Sequence, residues 1–127
     1  MSLLRLRPKA YGLKQFRARE RYRPDYNHLA SFLLGRLEFE SVIDVGCGNG
    51  FLLEAFAEAG KRVKGVDRSP DVLQVVPSHL RAHVAVEDFA LTNSHWDLVC
   101  CVEMAEHLEP ERSQELVSAL ARLARRW

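Results

Sequence analysis

A chain of 127 residues holds one domain with a modest core, burying about two thirds of its unfolded surface. With 47% hydrophobic and 28% charged residues it has a globular composition, and no apolar run approaches the ~20 residues of a membrane span. The net charge of +1 hides an asymmetry: residues 1–24 carry eight basic side chains against Glu20, a charge of +7, which leaves −6 for the remainder.

Residues 1–23 therefore read as a basic N-terminal arm or helix, with 24–127 as the domain proper. Tyr11, Phe16 and Tyr22 are interleaved with the basic residues. The arm either tracks a phosphate backbone and stacks on bases, or packs as a solvated basic helix against the acidic remainder. Pro24 opens a helix whose apolar stripe is Leu29, Phe32, Leu33 and Leu37. Val42 to Val45 form a first strand. Phe51 to Ala59 form a helix stopped by Gly60. Arg62 to Val66 form a second strand, with Asp67 at its carboxyl end. Ser69-Pro70 starts a short helix through Val76. Ala82 to Val86 form a third strand, and the apolar run of Asp97 to Val102 a fourth, buried on both faces. Glu109 or Pro110 starts a last amphipathic helix bearing Leu116, Leu120 and Leu123.

Strands alternating with helices predict right-handed crossovers and an α/β, Rossmann-like three-layer sandwich with a parallel sheet. Ligands of such sheets bind beyond the carboxyl ends of the strands. Cys47, Cys100 and Cys101 are odd in number and show no CxxC spacing. Reduced thiols in a cytoplasmic protein fit better than disulfides, and a structural zinc site is not indicated. The N-terminus lacks the apolar core of a signal peptide.

The sharpest local signal is Val-Ile-Asp-Val-Gly-Cys-Gly-Asn-Gly at 42–50. A strand runs into Gly46, Gly48 and Gly50, and a helix follows at once. Such a loop brings its main chain against a ligand at a helix N-terminus, where unpaired N–H groups collect. A dinucleotide loop reads G-x-G-x-x-G. Here the spacing is G-x-G-x-G, and Asp44 precedes it by two residues. That carboxylate would repel a pyrophosphate and suits a cationic or amino-bearing ligand. Asp67, at the end of the next strand, is placed to accept hydrogen bonds from ribose hydroxyls. The bland alternative for Asp67 is a turn or helix cap.

The D-x-G-x-G-x-G pattern resembles motif I of class I S-adenosylmethionine (SAM)-dependent methyltransferases. The resemblance implies that Asp44, Gly46, Cys47, Gly48, Asn49 and Gly50 hold the methionine and ribose part of SAM, and that Asp67, with Arg68 beside it, meets the ribose. In Glu87-Asp88-Phe89 it implies that Asp88 accepts from the adenine amino group and Phe89 lies against the ring. The segment Asp97 to Pro110 resembles the strand-four motif ending E-x-x-E-H-L in small-molecule and RNA methyltransferases. Glu103, Glu106 and His107 then share one face if the turn is helical. They hold a divalent metal, or His107 is a general base near the acceptor with Glu103 against the methionine end of the cofactor, or the turn is structural alone.

The resemblance covers residues 24–127 and implies a sheet ordered 3-2-1-4, with strands five to seven of the methyltransferase fold missing. Strand four would then be an adhesive edge, to be covered by a second copy, by a partner chain or by more of a longer parent chain. The expected activity is methyl transfer to a small-molecule or sugar hydroxyl. A non-catalytic SAM-binding subunit, or an RNA methyltransferase using the basic arm, are the other readings.

Overall fold

A computed structural model describes residues 12–102 and 104–127. The first half of the basic arm and Glu103 lie outside the described residues. The described elements are α1 (Leu13–Ala18), α2 (Arg23–Arg36), β1 (Ser41–Val45), α3 (Phe51–Glu58), β2 (Arg62–Asp67), α4 (Val72–Val75), β3 (Val84–Val86), β4 (Leu98–Cys100) and α5 (Ser113–Leu123). Short 3₁₀ turns fill several of the connections, including Ser78–His83, Phe89–Leu91, Ala105–His107 and Pro110–Arg112.

The four strands are parallel, as the alternation of strand and helix predicts, and ordered β3-β2-β1-β4, as the resemblance implies. β1 is central and buried along its whole length. Its side chains alternate between the two faces of the sheet. Val42 joins Ala30, Leu52, Leu53, Phe56 and Leu98 under α2 and α3, whereas Ile43 and Val45 join Phe89, Trp96, Leu116 and Leu123 under α5. Two apolar layers on one sheet give the three-layer sandwich. α2 contributes Tyr26, Leu29, Ala30, Leu33 and Leu34 at helical spacing. Phe32, expected in that stripe, instead faces outward at 49% exposure, with the Arg36 guanidinium 4.0 Å from its ring centroid.

α3 begins at Gly50 and ends in a Schellman turn, with Lys61 N–H donating to Phe56 C=O and Gly60 N–H to Ala57 C=O. The turn returns the chain into β2. Gly65, at the centre of β2, is a position of close approach. A Cβ there would lie 2.6 Å from Leu53 Cδ1 and 2.7 Å from Cys47 Sγ.

Several elements are shorter than the sequence predicts, the last helix among them, since Pro110–Arg112 is a 3₁₀ turn and α5 starts at Ser113. β3 spans Val84–Val86 because Ala82 and His83 belong to a 3₁₀ turn that buries Leu80. The helix expected from Ser69 keeps its regular part only over Val72–Val75, although Val72 and Leu73 donate back to Ser69 and Pro70. β4 ends at Cys100, whose partner is Asp44, since β1 turns into the glycine loop one residue later. At its other end the Asp97 carboxylate accepts from the Glu40 amide outside the ladder.

The outer flank of β4 is not left open over residues 96–99. Ala124 forms a parallel bridge to Trp96, Arg125 N–H donates to Trp96 C=O, and Val99 N–H donates to Trp127 C=O. The chain's own residues 124–127 thus pair with this part of the edge.

Candidate functional site

The carboxyl ends of β1, β2 and β3 open into one cleft, roofed by the N-terminal helical segment. Its lining combines glycine-loop backbone with acidic and aromatic side chains. Asp44, Gly46, Cys47, Gly48, Asn49, Asp67, Arg68, Asp88, Phe89 and His107 all line it. Residues chosen from four separate segments of the sequence thus share one cavity. Glu103 lies outside the described residues.

The glycine loop is held from below by β2. The N–H groups of Gly46 and Cys47 both donate to Val66 C=O, at 2.7 and 3.1 Å. All three loop glycines have positive φ. Gly46 shows why: at φ 78°, a Cβ would also sit 2.6 Å from Met104 Cγ. Met104 therefore needs glycine beneath it, and it lines the cleft as well.

Asp67 reaches across to the loop. Its Oδ2 accepts from Gly48 N–H and its Oδ1 from Ser69 N–H, each at 3.0 Å. Two backbone donors fix the carboxylate plane, and each oxygen keeps lone-pair capacity for a further donor. Asp44 is only 4% exposed, and its Oδ1 has no hydrogen-bond partner. Burial pushes its carboxyl up to about 8, and the nearby charge of Asp67 adds to the effect. Asn49 is also buried; its Nδ2 donates to Phe16 C=O at 2.8 Å, while its Oδ1 has no partner. Two buried acceptors without donors, both in residues of the glycine-loop segment, mark a site for a ligand that brings donors or positive charge. Cys47 is buried, and burial reinforced by Asp44 and Asp67 pushes its thiol well above the usual range, so it is no nucleophile.

Asp88 caps the Phe89–Leu91 turn through the Ala90 amide and is gripped by Arg112. That ion pair holds its carboxyl below the usual range. Phe89 is 4% exposed and packs in the core with one side towards the cleft. His107 stands on the Ala105–His107 turn at the rim, its Nε2 3.6 Å from Glu106 Oε1. Glu106 is exposed and does not line the cleft. Among the described residues no group of three His, Cys, Asp or Glu could hold a metal ion.

Sequence reasoning missed three contributors. Phe16, read as an arm aromatic available to bases, is 3% exposed and lies against Gly48. Leu13 N–H also donates to Asp71, so α1 is tied to both sides of the loop. Met104 sits within the Asp97–Pro110 segment but carries no polar group to single it out, and Arg112 comes from a segment that gives no hint of a cleft. The one usable signal for Phe16 was that the basic run carries aromatics at all, Tyr11 and Tyr22 with it. No helix among the described residues is long and apolar enough to cross a membrane.

Comparison with known proteins agrees with this geometry. A family model describing a methyltransferase domain matches residues 42–126. The chain is 39% identical over 95 residues to a ubiquinone biosynthesis O-methyltransferase of Thiobacillus denitrificans, covering 68% of this chain and 40% of that protein. The corresponding protein of Alkalilimnicola ehrlichii is 40% identical over 101 residues, covering 72% of this chain and 40% of its own length. Among solved structures, a magnesium protoporphyrin IX methyltransferase from Synechocystis with bound SAM superposes with a TM-score of 0.72 at 26% identity, covering 87% of this chain and 58% of that one. The chain thus spans well under two thirds of the relatives it resembles. With a domain match that runs over residues 42–126, more than half of the chain, the chain belongs to the methyltransferase-domain family.

Proposed function

We propose that the cleft binds SAM and that the protein to which this domain belongs transfers the methyl group to a small-molecule hydroxyl. The observation that carries the reading is the pair of buried acceptors, Asp44 Oδ1 and Asn49 Oδ1, beside an acid-lined glycine loop. SAM supplies a sulfonium-bound methyl for in-line displacement, together with an ammonium group and two ribose hydroxyls. Asp44 and the loop from Gly46 to Gly50 would hold the methionine end. Asp67 would accept from the ribose, while Asp88 and Phe89 would meet the adenine, with Arg68 at the exposed rim. His107 would take the acceptor's proton, and Glu103 would stand near the methionine end. For such chemistry the protein mainly positions its reactants and excludes water.

The preference for a hydroxyl acceptor is supported by the O-methyltransferase names of the relatives. The cysteines, none in a disulfide, suit a reducing cytoplasm. The basic arm favours RNA less, because Phe16 is buried in the cleft roof rather than free to stack on bases. Incubation with SAM labelled in its methyl group, against phenols, sugar alcohols, amines and total RNA, tests the acceptor class. Label on oxygen of a small molecule is the expected result. Label confined to RNA or to nitrogen would overturn it.

A further inference from the structure

The Asp88 carboxylate already has three donors. Arg112 Nη1 donates to Oδ2 and Nη2 to Oδ1, both at 2.7 Å, and the Ala90 amide donates to Oδ1 at 3.0 Å. An ionised carboxylate offers about four lone-pair positions, two on each oxygen. Both positions on Oδ1 are therefore taken, and a single one remains on Oδ2. The guanidinium is itself fixed. Its carbon lies 4.6 Å from the Phe89 ring centroid, and Glu115 Oε1 accepts from Nη2 at 2.8 Å. Arg112 stands at the N-cap of α5, so the start of that helix sets the plane of a carboxylate on the far side of the cleft wall.

Resting on the reading of the cleft as a SAM site, we propose that Arg112 is a positioning residue for base recognition: it restricts Asp88 to one free acceptor position and so selects a purine bearing an amino group over one bearing an oxo group. A bidentate fork fixes a carboxylate plane in a way a point charge does not. Without it, the terminal torsion of Asp88 is broad and two-fold, and the carboxylate would not keep one orientation. A 6-oxo purine would bring an acceptor against the remaining lone pair, and the locked carboxylate has no proton with which to adapt. A purely structural Arg112, fastening α5 to the Phe89 turn, would affect stability alone and leave the choice of base untouched.

The test compares S-adenosylhomocysteine (SAH) with S-inosylhomocysteine, which differ at the purine 6-position, by equilibrium binding. Wild-type protein is expected to prefer SAH. In Arg112→Lys the SAH affinity should fall about tenfold, the worth of one charge-assisted hydrogen bond, while the inosyl affinity moves less than about twofold. Glu115→Gln, which loosens the guanidinium from a position outside the cleft, should shift the preference in the same direction by less and keeps the test alive if the lysine variant does not fold. Equal weakening of both ligands, or an unchanged preference in both variants, would overturn the proposal while leaving the SAM reading intact. Wild-type protein that binds neither SAH nor SAM would overturn the SAM reading and this proposal with it.

Discussion

The Gly48 amide donates to Asp67 Oδ2 at 3.0 Å, so the tip of the glycine loop is tied to the end of the neighbouring strand by the acid expected to meet the ribose. One carboxylate thereby shapes the loop and lines the cleft. Asp67→Ala should cost about 1–3 kcal/mol of stability, since two loop amides lose their acceptor. It should also weaken SAH binding by at least about tenfold. Denaturant unfolding and ligand titration separate the two effects. Stability lost with unchanged affinity would remove Asp67 from the ligand site.

If the cleft takes a cation, buried Asp44 links its binding to a proton. Its pKa in the fold is about 8, against 3.8 for an ordinary aspartate. The folded state therefore holds this proton over a range where the unfolded chain has released it. The group's contribution to stability is greatest at low pH and declines as pH rises from 3.8 to about 8. A ligand cation beside the carboxylate favours the ionised form. Binding of SAM near pH 7 should then release a proton, seen in calorimetry as a heat that varies with the ionisation enthalpy of the buffer. Asp44→Asn should abolish that release. A buffer-independent heat in wild type would contradict the assignment.

Two glycines outside the loop give opposite expectations. At Gly65 a Cβ would collide with Leu53 and Cys47, so Gly65→Ala should destabilise by about 1–3 kcal/mol. At Gly35, near the end of α2, nothing lies within 4 Å of the added atom. Gly35→Ala should stabilise by about 0.4–1 kcal/mol through helix propensity and a less flexible unfolded chain. Thermal melts of the two variants read the contrast directly.

The roof depends on Phe16, which packs on Gly48 while its carbonyl accepts from Asn49. Phe16→Ala should raise hydrogen exchange at the Phe16-side amides of α1 and leave β1 protected, because only the roof loses its anchor. Equal acceleration in β1 would show that α1 belongs to the core.

Much of this architecture is legible in the sequence because it is local. The apolar run before Gly46, the glycine spacing and the aspartates at strand ends each announce themselves within ten residues, and the strand–helix alternation predicts a parallel sheet. What escapes is set by tertiary pairing. β3 is short because Ala82 and His83 go to the turn that buries Leu80, and β4 stops where β1 bends away. No local pattern shows that Trp127 accepts from Val99, that Arg112 finds Asp88 from 24 positions away, or that Phe16 reaches Asn49 across 33. Phe32 makes the same point in reverse: helical spacing placed it in the stripe, but α2 turns its Tyr26–Leu34 face to the sheet.

Titration calorimetry of the wild-type chain with SAM, SAH and NAD tests the central claim most directly. SAM and SAH should bind at a single site, with both affinities lowered in Asp67→Ala, and NAD should give no heat. Binding of NAD without binding of SAM or SAH would contradict the account.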